Sequence, residues 1–221
     1  MVTLCWAAKG GSGTTVVATA LALSSLRPSL LVDLDGEIPA VLGLPEPDRP
    51  GVAEWLESDT SPDHLAELLV DIGPRAWLLP WQCAAADRSR HVVTGHDARW
   101  ATLGDWLHDW SNQWGCDVTV DVGTRVPPEA LAARADRSLL VTRPCYLSLR
   151  RAVRSAVRPT GVILVDEPGR GLGPRDIEHA IGAPVEAVVS VDPSVARAVD
   201  AGLLATRLPR VMTRALRAVA A

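Results

Sequence analysis

The 221-residue sequence predicts an α/β fold: a doubly wound, mostly parallel sheet flanked by helices. Three observations carry that prediction. Apolar runs of strand length alternate with helix-compatible stretches along the whole chain. Several of those runs end in aspartate, as buried parallel strands do where they reach a ligand-binding edge. The first run, residues 2–8, leads into a glycine-rich turn that opens directly into a helix.

That turn reads Ala-Lys-Gly-Gly-Ser-Gly-Thr-Thr over residues 8–15. Strand, glycine-rich turn and helix together form the layout of a phosphate-binding loop. Gly10, Gly11 and Gly13 let backbone N–H groups turn inward, with Ser12, Thr14 and Thr15 completing the cradle and the helix dipole favouring an anion. Lys9 is the only lysine in the chain, and a slender ammonium suits a narrow place such as a phosphate. The common pattern G-x-x-x-x-G-K-[ST] is not met. Thr14 stands where its lysine would be, and Ala8 where its first glycine would be. Thr15 is in register to offer a hydroxyl to magnesium.

A helix is expected over 16–26. Residues 29–32 form a short buried strand that delivers Asp33 and Asp35 at its end. A proline-rich surface segment over 39–51 precedes a short helix over 52–57. Ser61, Pro62 and Asp63 mark another helix start, with serine as N-cap and proline in the first turn. A strand follows over 76–80, and residues 81–95 carry no clear periodicity. Over 97–114, Trp100, Leu103, Leu107, Trp110 and Trp114 recur at steps of three and four. They form one helix face, read as core.

Residues 117–121 alternate as a strand ending in Asp121, with Arg125 and Pro127 on the loop beyond. A short helix over 130–135 and a strand over 138–142 come next. A helix over 146–157 carries Arg150, Arg154 and Arg158 on one face with Arg151 beside them. That face is read as solvated, with non-specific nucleic-acid binding as the competing reading. Further strands over 161–165 and 185–191 bracket a helix over 174–180, and a final helix spans 195–204. In the tail, 207–221, Arg207, Arg210, Arg214 and Arg217 line one stripe and Val211, Ala215 and Val219 another. The tail is either docked on the domain or laid on a membrane surface.

Composition narrows the function classes. The net charge of −4 leaves nucleic-acid or lipid affinity to local arginine patches. The four cysteines, Cys5, Cys83, Cys116 and Cys145, have no zinc or redox spacing and suit reduced thiols in the cytoplasm. No apolar run is long enough to span a bilayer.

Taken together, the motifs resemble those of the MinD/ParA ATPases. Lys-Gly-Gly-Ser-Gly-Thr-Thr is similar to the deviant loop KGGxGK[ST] of that family, and Leu-Val-Asp-Leu-Asp over 31–35 to its second motif. The strand ending at Asp121 resembles a Walker B strand, and Asp192-Pro193-Ser194-Val195-Ala196 the family's late loop. The resemblance implies ATP or ADP with Mg²⁺ as ligands. It implies that Lys9 reaches across an ATP-bound homodimer to the partner's phosphates and that Asp35 positions the attacking water. Thr15, Asp33 and Asp121 would surround the metal, while Asp166 and Pro193 would flank the base. The missing second lysine resembles the CpaE/TadZ branch and implies slow hydrolysis, with Lys9 in trans or Arg125 supplying charge. Residues 1–206 would then be the nucleotide-binding domain. A positioning role at a pilus, septum or chromosome follows, with an activating protein partner and a place in the cytoplasm, at the inner membrane surface or on the nucleoid. A fixed, non-hydrolysing scaffold and a DNA-bound partition ATPase are the alternatives.

Overall fold

The computed structural model describes residues 1–45, 48–82 and 97–220. Cys83, nearly all of the 81–95 stretch, part of the proline-rich segment and the last residue of the tail lie outside the described residues. In chain order the strands are β1 (Val2–Trp6), β2 (Ser29–Asp33), β3 (Val70–Gly73), β4 (Ala76–Leu79), β5 (Asp117–Gly123), β6 (Arg137–Thr142), β7 (Gly161–Asp166) and β8 (Val185–Ser190). The helices are α1 (Thr14–Ser24), α2 (Ile38–Leu42), α3 (Val52–Glu57), α4 (Asp97–Trp114), α5 (Glu129–Ala132), α6 (Tyr146–Ala152), α7 (Pro174–Ile181), α8 (Pro193–Asp200) and α9 (Arg210–Leu216).

The strands form one sheet in the order β3-β4-β2-β5-β1-β6-β7-β8. Every neighbouring pair is parallel except β3–β4. Alternating side chains fill two apolar layers, as the strand period of two demands. Leu4, Trp6, Leu30, Val32, Val118, Val120, Leu140 and Val162 pack with α3, α4 and α7. Cys5, Leu139, Val141, Ile163 and Val189 pack with α1 and α9. All five residues of β1 are buried, which places the loop after it at the middle of the sheet's carboxyl edge.

Several expectations shift in detail. The edge strand β3 carries no sequence signal of its own. It pairs antiparallel with β4 at Val70↔Leu78. The helix start at Ser61 opens a 3₁₀ segment, Pro62–Leu68, and the Ser61 side chain accepts from the Asp63 N–H. Helix α6 ends at Ala152, short of the expected residue 157. Arg150 and Arg151 therefore lie in its last turn, while Arg154 and Arg158 lie beyond it. All four are exposed.

The tryptophan face divides. Trp100, Leu103 and Leu107 are core, but Trp114 is half exposed. Trp110 stacks between Trp106 at 5.2 Å and Trp114 at 5.4 Å, with Trp77 edge-on at 6.4 Å. The tail is docked. Met212 and Leu216 are buried with Val219 against α1 and β8, so the innermost stripe is offset from the expected Val211–Ala215 line toward the bulkier side chains. Burying two such side chains contributes about 1.5–3 kcal/mol each, which favours docking over a free helix. Arg207, Arg210, Arg214 and Arg217 remain exposed.

Candidate phosphate-binding site

The loop between β1 and α1 is anchored at both ends. Ala7 N–H donates to the Gly123 carbonyl at 2.9 Å, and Val17 N–H donates to Gly13 at 2.9 Å to begin the helix. Across the loop, Ser12 Oγ donates to the Lys9 carbonyl at 2.8 Å. Gly11 and Gly13 have φ of 77° and 84°, a region side chains avoid. A Cβ at either position would meet no atom within 4 Å. Backbone conformation, not crowding, therefore requires glycine there, and the space above the loop is open. No side chain caps the first turn of α1, so its orphan N–H groups are available to an anion.

Lys9 is half-buried, and among the described residues its Nζ hydrogen-bonds to the neighbouring Gly10 carbonyl alone, at 3.3 Å. Thr14 is buried, and its hydroxyl has no hydrogen-bond partner. Thr15 follows it, half-buried.

Asp33 and Asp121 sit directly opposite one another in the β2–β5 register, and Cys5 of β1 pairs with Asp121. Both carboxylates are fully buried. Asp33 Oδ1 accepts from the N–H groups of Asp35 (3.0 Å) and Gly36 (2.7 Å), and its Oδ2 from Ile38 (3.2 Å). Burial pushes its pKa up to about 6 against those three donors. Asp121 Oδ1 accepts one bond, from Gly123 N–H at 3.0 Å, and its Oδ2 is buried without a hydrogen-bond partner. Burial and the Asp33 charge push it up to about 7, while the nearby Thr15 hydroxyl and the Gly123 amide pull down. A buried, unpartnered carboxylate oxygen beside a threonine hydroxyl and an anion cradle fits a divalent cation, either directly or through water. Asp33 holds the turn after β2 and has only its remaining lone pairs to offer a metal.

The loop from Gly11 to Val16, together with Asp35, Gly123 and Thr124, lines a cleft of about 190 Å³. Asp35 therefore faces the cleft above the glycine-rich loop. It is paired with Arg125, at 3.5 Å, and the Arg125 guanidinium lies 5.5 Å from the Trp81 ring. Gly123, at φ 66°, leaves no room for a side chain: a Cβ there would sit 2.2 Å from the Asp35 carboxyl carbon. The sequence places Arg125 at this edge but not beside Asp35. The Asp35–Arg125 pair joins loops 90 positions apart, and no local pattern encodes it.

The far half of the carboxyl edge carries the expected base-flanking residues. Asp166 ends β7 half-buried, and its side chain makes no hydrogen bond or ion pair among the described residues. Glu167 is held below the usual range by Arg170, which donates to it at 2.7 and 2.9 Å. Pro193 opens α8 on the surface after Asp192, whose side chain accepts from Ser194 N–H at 2.7 Å. The structure thus brings Lys9–Thr15, Asp33, Asp35 and Asp121 into one site, with Asp166 and Pro193 two and three strands away along the same edge.

No protein-family model and no curated protein matches the chain. Solved structures do. A ParA family ATPase from Chlorobium tepidum superposes with a TM-score of 0.73 at 19% identity, over 99% of this chain and 98% of that one. MinD from Aquifex aeolicus gives 0.74 at 20%, over 99% and 94%. MinD from Pyrococcus horikoshii complexed with Mg-ADP gives 0.74 at 18%, over 99% and 93%. The fold is that of the MinD and ParA ATPases. On this MinD/ParA-type sheet, the loop after the central strand and the aspartates of the two neighbouring strands fall at one end. Among the described residues, no helix is long and apolar enough to cross a membrane.

Proposed function

We propose that this chain is a MinD/ParA-type positioning protein that binds ATP with Mg²⁺, dimerises in the ATP state and hydrolyses slowly. The observation that carries the reading is the unpartnered Asp121 Oδ2, buried beside an uncapped, glycine-rich helix start. A buried charge left so is costly unless a ligand completes it. In this reading the N–H groups of Gly10 to Thr15 hold phosphate oxygens, and Thr15 and Asp121 hold the metal with Asp33 behind them. Asp35 orients water. Lys9 reaches the phosphates of a second copy, and Asp166 and Pro193 flank the base. Bound Mg-ATP supplies the charge that closes the dimer, so assembly and not synthesis is the output.

Thr14 supports the slow branch, similar to the CpaE/TadZ proteins. A charge-assisted phosphate bond contributes about 1.5–3 kcal/mol, and a buried hydroxyl does not replace it. The same feature favours a second reading, a dimeric scaffold that no longer cycles nucleotide. Partners such as DNA at Arg150, Arg151, Arg154 and Arg158, or a membrane at the tail arginines, belong to the proposal without a specific contact behind them.

Molar mass by light scattering with Mg-ATP, with Mg-ADP and without nucleotide tests it. The expected result is a dimer with Mg-ATP alone, abolished by Lys9→Ala. A mass indifferent to nucleotide would overturn the switch and leave the scaffold.

A further inference from the structure

Asp35 presents a negative charge to the cleft in which the reading above places phosphate, so a triphosphate would meet repulsion there. Arg125 is what neutralises that charge. The contact is long, at 3.5 Å, and both side chains keep about a quarter of their surface exposed. Such a pair contributes little and exchanges easily. A guanidinium on a phosphate oxygen makes shorter, charge-assisted and often bidentate bonds. Arg125 is also close to the cradle through its neighbour: Thr124 Cγ2 lies 3.9 Å from the point where a Gly10 Cβ would stand. Among the described residues no cationic side chain lines the cleft itself: Thr14 stands where the common loop has lysine, and the Lys9 Nζ bonds to the Gly10 carbonyl.

We infer that Arg125 is a phosphate-exchange residue: it holds Asp35 while the cleft lacks a terminal phosphate and passes to that phosphate when a triphosphate binds, releasing Asp35 to hold water. This rests on the nucleotide reading above. Gly123 is part of the device. With no side chain and a left-handed backbone, it lets the Asp35 carboxylate lie flat against the end of β5, within reach of Arg125. Trp81 gives the guanidinium a second resting surface, at 5.5 Å, so that neither position leaves it unsupported. The device lets the site distinguish triphosphate from diphosphate, because a diphosphate lacks the group that draws Arg125 away.

Calorimetric titration of Mg-ADP and of a slowly hydrolysed Mg-ATP analogue tests the exchange. The proteins are wild type, Arg125→Ala, Asp35→Asn and the double variant. Arg125→Ala should weaken the triphosphate about tenfold and leave the diphosphate within about twofold. The penalty of Arg125→Ala should grow in the Asp35→Asn background, where the arginine has no competing partner. Arg125→Lys, which keeps the charge and loses the fork, should fall between wild type and Arg125→Ala. Equal weakening of both nucleotides, or of neither, would overturn the exchange. So would a penalty that shrinks with Asp35→Asn, since Arg125 would then act only by screening that carboxylate. Failure of wild type to bind either nucleotide would sink the nucleotide reading itself, and the exchange with it.

Discussion

Asp33 and Asp121 stand side by side at the ends of adjacent strands, equally buried, and the fold treats them in opposite ways. Three backbone N–H groups converge on Asp33 and fix the turn that carries Asp35. A single backbone amide reaches Asp121, and among the described residues its second oxygen has no hydrogen-bond partner, with the Thr15 hydroxyl nearby. The same residue type is structural in one strand and incomplete in the next. Burial alone does not mark a ligand site. Burial with an unanswered lone pair does.

That contrast can be broken most violently at Asp33. Asp33→Ala would strand three buried or half-buried N–H groups, at about 1–3 kcal/mol each before relaxation. A loss of roughly 3 kcal/mol or more in denaturant unfolding is expected, with the turn at Asp35 lost as well. A cost below about 1 kcal/mol would mean that the turn is held by something else. At Asp121 the sign reverses. Asp121→Asn removes an uncompensated buried charge, so the ligand-free protein should gain about 1–3 kcal/mol near pH 8, while the stabilisation conferred by Mg-nucleotide disappears. Destabilisation of the ligand-free form would show that the carboxylate is already satisfied.

The smallest effect is the pH dependence of that gain. Burial pushes the Asp121 carboxyl up to about 7 in the folded protein from an ordinary value near 3.8, so the folded state holds its proton more tightly. Its neutral form is favourable below the unfolded value, and that advantage is lost as pH rises through about 7. The difference in stability between Asp121→Asn and wild type should therefore be near zero around pH 4 and grow toward pH 8. Comparing the two proteins cancels the carboxylates remote from Asp121, while Asp33, whose charge acts on Asp121, titrates with it. A difference that is flat with pH would contradict the raised value.

The sequence made much of this visible. Strand, glycine turn and helix are written consecutively, and Asp33 and Asp121 close apolar runs of strand length, with Asp35 in the turn beyond the first. What stayed hidden depends on directions and distances that no period encodes. Which aspartate is satisfied is decided by where the amides of Gly36 and Ile38 point. The Asp35–Arg125 pair joins two loops that meet only because β2 and β5 are neighbours in the sheet. Helix α6 stops early although its pattern continues, because a pattern states what could be buried and not where the backbone turns. The tail's inner face centres on Met212 and Leu216, beside the stripe that spacing selects, whose Val219 is buried with them and whose Val211 and Ala215 pack at its border.

The row of indoles along α4 also governs how the protein emits light. Trp77, Trp106, Trp110 and Trp114 are linked by centroid separations of 5.2–6.4 Å, close enough to share absorbed energy before any one of them emits. Their emission is then a collective signal from the packing of α4 on β4. Trp81 belongs to the other end of the molecule, beside the Arg125 guanidinium and the turn at Gly36. Four of the eight tryptophans therefore report on α4 and β4 rather than on the phosphate cradle. A variant keeping Trp81 while thinning the α4 row would move the optical window to the site.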